Sequence, residues 1–235
     1  TTIQNEEWCL YKMEKTLKKD NTAAVIFETI QGEGGDNQFR KSFFEEVRRL
    51  TNKYNALFIL DEVQAGFGAT GKWWAYEHYN VKPDILVFGK KTQVCGFCSN
   101  ERIQEAKNNV FKQSGRINST WGSNFTDMSR STAYMKIIKD NNILDNVNQV
   151  GDLFLNELKK LEDDVITNVR GKGLMIAFDL RDSSYRDILF NKISENVLIL
   201  KSGIRSIRLR PHLTINEKDV NYAIEFIKDS IDNLN

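Results

Sequence analysis

Apolar residues arrive along this chain first in short blocks and later in stripes. Residues 23–28 ("AAVIFE"), 56–60 ("ALFIL") and 85–88 ("ILVF") are uninterrupted or nearly uninterrupted runs. Such runs predict strands buried on both faces of a sheet. Between the first two, "RKSFFEEVRRLTNKYN" sets Phe43, Phe44, Val47 and Leu50 at helical spacing, which predicts an amphipathic helix. "WWAYEHY" predicts a short helix ahead of the third run, and the opening "TTIQNEEWCLYKMEKTLKKD" predicts a charged amphipathic helix. Strands alternating with helices imply a parallel sheet with helices on its faces. Ligands of such sheets sit beyond the carboxyl ends of the strands. Glu28, Asp61 and the Gly89-Lys90-Lys91 turn all fall at such ends.

From Asp127 the pattern changes. Helical stretches at 127–140 and 143–162 lead to strand-like "VITNVRG" and "LMIAFDL". A helix around 185–195, short strands at 197–200 and 207–209, and a last helix from Asn216 follow. The second part therefore predicts a smaller α+β domain. The expected division is 1–141 for the sheet domain and 142–235 for the smaller one. There is no internal repeat and no low-complexity segment.

Charge and composition narrow the function classes. The 235 residues carry 33 basic and 32 acidic side chains, a net +1, so binding to nucleic acid or a membrane surface through bulk charge is not expected. No run of about 18 apolar residues and no signal-peptide pattern is present, and the expectation is a soluble, cytoplasmic protein. Three cysteines, Cys9, Cys95 and Cys98, fit a reducing compartment. Cys95-Gly-Phe-Cys98 has dithiol spacing, but a zinc site needs a second ligand pair, and His78 and His212 stand alone. No metal is expected, and the pair is read as chance spacing in a buried strand. The chain opens without an initiator Met, which gives the expectation that it is the later part of a longer protein.

Two motifs remain. Gly66-Phe-Gly-Ala-Thr-Gly71 matches a dinucleotide fingerprint, the basis of a nicotinamide-oxidoreductase alternative. That fingerprint should close a strand directly and open a helix, with an acid ending the next strand. Here Asp61-Glu62-Val63-Gln64 intervenes and Asp84 begins the next strand, so the glycines are expected to shape a loop. Asp61 has several possible uses: a structural ion pair, a Mg²⁺ ligand in a nucleotide site (for which the P-loop is missing), or the partner of Lys90. An aspartate and a lysine facing one crevice suit pyridoxal phosphate. The lysine bonds to the cofactor aldehyde, and the carboxylate keeps the pyridine nitrogen protonated.

At this point the chain resembles a known family. "LDEVQAGFGATGKWWAYEHYNVKPDILVFGKK" is similar to the signature of class III (ornithine/GABA-type) aminotransferases, a group of fold-type I pyridoxal-phosphate enzymes. "ETIQGEGG", "NSTWGSN", "RGKGL" and "IRLRPHL" follow in the family's order, covering nearly the whole chain. "FGKKTQVCG", "NSTWGSN" and "RGKGLMIAFDL" look most like the L-lysine 6-aminotransferase branch.

The resemblance implies the later part of a large, mostly parallel-sheet cofactor domain followed by an α+β small domain. It implies Lys90, not Lys91, as the Schiff-base lysine, Asp61 on the ring nitrogen, and Gln64 near the phenolic oxygen. Glu28 is then the buried acid near the cofactor, and Thr120, with Ser119 beside it, holds the phosphate of the other subunit of a homodimer. Glu33 is the gating acid for Arg208, with Arg210 as the register alternative. The implied reaction moves a terminal amino group, foremost the ε-amine of L-lysine, to 2-oxoglutarate. Alternatives are donors such as ornithine, acetylornithine or GABA, or an inactive dimerising fragment. Thr29, Ala69 and His212 stand where the family has proline, arginine and proline. The family's long N-terminal portion, with its phosphate-binding and ring-stacking segments, has no counterpart before Thr1.

Overall fold

The computed structural model describes residues 2–117, 119, 120, 122 and 124–233. They form two compact units. The first contains the chain up to Thr29, Phe39–Gln64 and Ala75–Met135; the second contains Ile30–Gln38, Ala65–Trp74 and the chain from Lys136.

In the first unit, helix α1 (Thr2–Leu17) precedes strand β1 (Ala24–Glu28). The chain then enters the second unit as a small antiparallel hairpin, β2 (Ile30–Gln31) and β3 (Asn37–Gln38). It returns as helix α2 (Lys41–Lys53), strand β4 (Leu57–Asp61), strand β5 (Ile85–Phe88) and strand β6 (Gly96–Ser99). The sheet order is β1-β4-β5-β6, parallel across the first three strands and antiparallel at β6. "WWAYEHY" supplies one 3-10 turn, Ala75–His78.

Register explains which face of this sheet is covered. Val25 lies beside Phe58 and Phe27 beside Leu60. Phe27 packs against the rings of Phe39, Phe43, Phe44 and Phe58, and Phe44 stacks on Tyr79 at 3.9 Å between centroids. The α2 stripe of Phe43, Phe44, Val47 and Leu50 is buried as its spacing predicts. Alternate residues point the other way. That face carries Ile26, which is 59% exposed, together with Ile59, Glu28 and Asp61. The expectation of strands buried on both faces is therefore corrected: one face is closed by α2, and the other is only partly covered among the described residues. The cysteine expectation is corrected too. Cys98 does lie in a strand, but Cys95 and Cys98 are both exposed.

The start of β5 is fastened by a buried carboxylate. Asp84 accepts from Arg48 Nη1 at 2.9 Å, Arg102 Nη1 at 3.0 Å, the Phe58 N–H at 2.8 Å and Asn100 Nδ2 at 2.9 Å. One side chain thereby ties β5 to α2, to β4 and to the end of β6.

The second unit centres on an antiparallel sheet ordered β7-β8-β10-β9. Its strands are β7 (Ile166–Lys172), β8 (Met175–Leu180), β9 (Leu200–Ser202) and β10 (Ser206–Leu209). Helix α3 (Phe125–Asp140) leads into the unit, and α4 (Ile143–Lys159), α5 (Ser183–Ile193) and α6 (Glu217–Asp232) belong to it. Every β8 residue is buried, and the core runs from Val147, Phe154 and Leu158 through Ile176 and Phe178 to Val220 and Ile227. The strand expected at 197–200 lies instead at Leu200–Ser202. Within "VLIL" only Ile199 is buried, while Leu198 is 93% exposed. Gly66–Gly71 forms a loop, with no helix opening at its end. Among the described residues no helix is long and apolar enough to cross a membrane.

Candidate functional site

The first unit gathers polar groups at the carboxyl ends of β1, β4 and β5. Glu28 and Asp61 are register partners on adjacent strands, and Asp61 lies beside Val87 on its other side. Both acids point to the less covered face. Asp61 is half-buried, and its Oδ1 accepts from the Val63 N–H at 3.0 Å. That local bond fixes the carboxyl orientation.

The two lysines after β5 differ sharply. The chain leaves Phe88 through Gly89 into a single 3-10 turn, Lys90–Thr92, and returns as β6. A side chain at Gly89 would press on Cys95 Sγ, 3.1 Å from the added carbon. Lys90 has φ of 52°, a left-handed conformation rare for residues other than glycine and concentrated at functional positions. Thr92 steadies the turn: it is buried, its N–H reaches the Gly89 carbonyl at 3.3 Å, and its hydroxyl donates to the Val94 carbonyl at 2.6 Å. Lys91 Nζ donates to the Gln64 carbonyl. Lys90 is exposed, and among the described residues its amine has no hydrogen-bond or ion-pair partner. Backbone strain and an available amine thus coincide at Lys90.

Glu62 is a group that sequence reasoning passed over. It is 1% exposed and accepts from Ala75 N–H at 2.6 Å, Tyr76 N–H at 2.7 Å and the Thr29 hydroxyl at 2.9 Å. Burial pushes its carboxyl up to about 7, against the pull of those three donors. Thr29, where the family has proline, is the residue whose hydroxyl joins the end of β1 to this acid. Gln64 is half-buried. Ser119 and Thr120 lie on an exposed stretch, with the Ser119 carbonyl accepting from the Gly122 N–H at 3.2 Å. The other expected members of that motif, Asn118, Trp121 and Ser123, lie outside the described residues.

Glu33 and Arg208 belong to the second unit and meet there. Arg208 Nη2 donates to Glu33 Oε1 at 2.5 Å. The guanidinium is 8% exposed and the acid 68%. Arg210, the register alternative, pairs with Asp36 instead. The expected arginine and its register alternative thus hold different acids.

These donors match one cofactor chemistry. A pyridine aldehyde bearing a phosphate needs an unengaged amine, a carboxylate for its ring nitrogen and donors for its phosphate. Lys90 and Asp61, at neighbouring strand ends, are of the residue types that the first two require. Among the described residues no cluster of His, Cys, Asp and Glu could hold a metal ion.

Comparison with known proteins points the same way. The family model "Aminotransferase class-III" matches residues 2–231. The chain is 42% identical over 214 residues to an L-lysine-epsilon aminotransferase of Amycolatopsis lactamdurans, covering 89% of this chain and 48% of that protein. It is 37% identical over 241 residues to a 4-aminobutyrate aminotransferase of Kluyveromyces lactis, covering 98% and 50%. Among solved structures, a lysine aminotransferase from M. tuberculosis superposes with a TM-score of 0.92 at 38% identity, covering 97% of this chain and 54% of the other. The chain spans about half the length of the relatives it matches.

Proposed function

Starting from a chain that belongs to the class III aminotransferases and has their fold-type I architecture, we propose that it serves transfer of the ε-amino group of L-lysine to 2-oxoglutarate. The family is pyridoxal-phosphate-dependent. The observation that carries the reading is the coincidence, at adjacent strand ends, of strained, unengaged Lys90 with Asp61. When bound, the cofactor supplies an electron sink for the carbon bearing the amine. Asp61 holds a proton at the ring nitrogen. Lys90 Nζ would hold the cofactor and, once displaced by the incoming amine, would accept and return a proton as general base and acid. Gln64 would orient the ring through its phenolic oxygen, and Glu28 lies beside Asp61 on the sheet. Ser119 and Thr120, on their exposed stretch, serve the phosphate across a homodimer. The proposed division at 141/142 into large-domain part and small domain falls at the break between α3 and α4 at Asn142, where φ is 51°, while the compact units change earlier, between Met135 and Lys136. A cytoplasmic setting fits three free cysteines.

Lysine is favoured by the 42% identity to an L-lysine-epsilon aminotransferase, against 37% for a 4-aminobutyrate aminotransferase, 32% for an ornithine aminotransferase and 33% for an acetylornithine aminotransferase. Steady-state rates of the cofactor-loaded enzyme with L-lysine, L-ornithine, N-acetylornithine and GABA test this. L-lysine is expected to give the highest kcat/KM; a higher value for any of the others overturns the donor assignment.

Glu33 acts as a gate. Paired, Arg208 is masked and a terminal amine enters without a carboxylate being captured. A dicarboxylic oxoacid competes for the guanidinium, because bidentate charge-assisted bonds are among the stronger polar contacts. Glu33 is mostly exposed and is hydrated when it leaves, while the buried Arg208 guanidinium requires an incoming carboxylate in its place, so the pair exchanges instead of simply opening. Glu33→Ala is expected to retain cofactor and to gain α-amine over ε-amine reactivity in single-turnover measurements. An unchanged preference would leave an ordinary surface ion pair.

A further inference from the structure

We infer that Asp36 is a specificity-positioning residue: it holds Arg210 permanently engaged, so that a substrate carboxylate meets one exchangeable arginine, Arg208, instead of two. This rests on the gate reading of Glu33 and Arg208 and adds a role that the gate alone does not require.

The geometry begins with a two-residue offset. Arg208 and Arg210 are separated by one residue at the end of β10, so their side chains leave the same face. Opposite them, the tip of the β2–β3 hairpin presents acids at positions 33 and 36. Glu33 takes Arg208 and Asp36 takes Arg210. The two pairs differ in their access to water: the Glu33 side chain is 68% exposed, and that of Asp36 is 0% exposed. An exposed carboxylate can leave its partner for water. A buried one cannot, since an unpaired charge in the interior is costly.

The backbone around these acids is clamped, which assigns any motion to the Glu33 side chain alone. Ser202 Oγ donates to the Gly32 carbonyl at 2.6 Å and accepts from the Gly35 N–H at 3.0 Å. The Gly203 N–H reaches the Glu33 carbonyl at 2.9 Å. Gly203 sits so close that an added side-chain carbon would stand 2.9 Å from Gly35 Cα. Arg170 grips the carbonyls of Gly35 and Asp36 and is itself held by Asp179 at 2.8 Å.

Asp36 has reach to spare. Its Oδ2 is buried and accepts no hydrogen bond among the described residues. Burial pushes its carboxyl up, while Arg210 first, then Arg170 and Arg208, pull it down. The carboxylate thus feels both arginines but bonds Arg210. Without Asp36, two guanidiniums would face one exchangeable acid. Without Arg210, Asp36 would turn to Arg208 and compete with substrate.

The two substitutions therefore have opposite expected signs, which a merely structural role would not give. Glutarate, an unreactive dicarboxylate, is the probe, titrated calorimetrically into the cofactor-loaded protein. Asp36→Asn is expected to bind glutarate about tenfold tighter, the scale of one added charged hydrogen bond. Arg210→Gln is expected to bind it about tenfold more weakly by the same measure. The double variant Asp36→Asn/Arg210→Gln, which removes both charges together, should return to the wild-type affinity and serves where a single variant does not fold. Folded variants that all bind like wild type, single changes that both weaken binding, or a double variant far from wild type overturn the inference. Loss of glutarate binding in Arg208→Gln establishes the gate arginine separately, so failure of the Asp36 role is distinguishable from failure of the gate. Wild-type protein that binds no glutarate overturns both.

Discussion

Asp61→Asn is expected to lower turnover by roughly 10²–10³, the scale lost when one preorganised electrostatic partner is removed from a reacting centre. The amide keeps the shape of the carboxyl, and its oxygen can still accept from the Val63 N–H that orients Asp61. What it lacks is the charge proposed to hold a proton on the ring nitrogen. The substitution leaves Lys90, Ser119 and Thr120 in place, so cofactor uptake should persist. Single-turnover rates set against cofactor occupancy by absorbance separate the two effects. Near-normal turnover would remove the strand-end carboxylate from the chemistry.

The second large effect is on stability. Asp84→Ala is expected to cost about 3–5 kcal/mol, the usual penalty for breaking a buried ion pair by removing one partner. Arg48 and Arg102, with side chains 18% and 19% exposed, would be left facing each other, Arg102 with only the exposed Glu105 at 3.6 Å as counter-charge. Their exposure permits partial hydration, which favours the lower end of that range. Denaturant unfolding of the variant against the parent measures the cost, and a loss below about 1 kcal/mol, typical of surface pairs, would contradict it. The pH dependence has a definite sign. Burial raises the Asp84 carboxyl, but Arg48, the Phe58 N–H and Asn100 outweigh it and leave it below 3.8. A depressed carboxyl contributes stability in full above its unfolded value, and that contribution is lost as pH falls through the folded one. The parent should therefore lose this increment only in strong acid, and the variant should lack it at neutral pH.

Asp84 also shows where the sequence was readable and where it was not. The strands β1, β4 and β5 were legible because each is a compact apolar run, closed by an acid in β1 and β4 and followed by Gly89-Lys90 in β5. Lys90 and Asp61 were legible as strand-end residues. The network at Asp84 was not, because Arg48 comes from α2 while Asn100 and Arg102 come from the stretch after β6, and no local pattern links either segment to Asp84. The same limit applies to the arginines. Arg208 and Arg210 share a strand face, and only the folded hairpin, with Glu33 and Asp36 three residues apart at its tip, tells them apart. Glu62 was visible only as a neighbour of Asp61; its burial depends on Thr29 and on the turn at Ala75. The strand at Leu200–Ser202 was misplaced by three residues because an apolar run was equated with burial, and Leu198 points to solvent.

The central claim is that Lys90 holds the cofactor. Borohydride reduction of the cofactor-loaded protein, followed by proteolysis and peptide mapping, tests it directly. The strained φ at Lys90, its unengaged amine and the Lys91–Gln64 hydrogen bond predict a pyridoxyl adduct on Lys90 and an unmodified Lys91. An adduct on Lys91, or on neither lysine, would contradict the account.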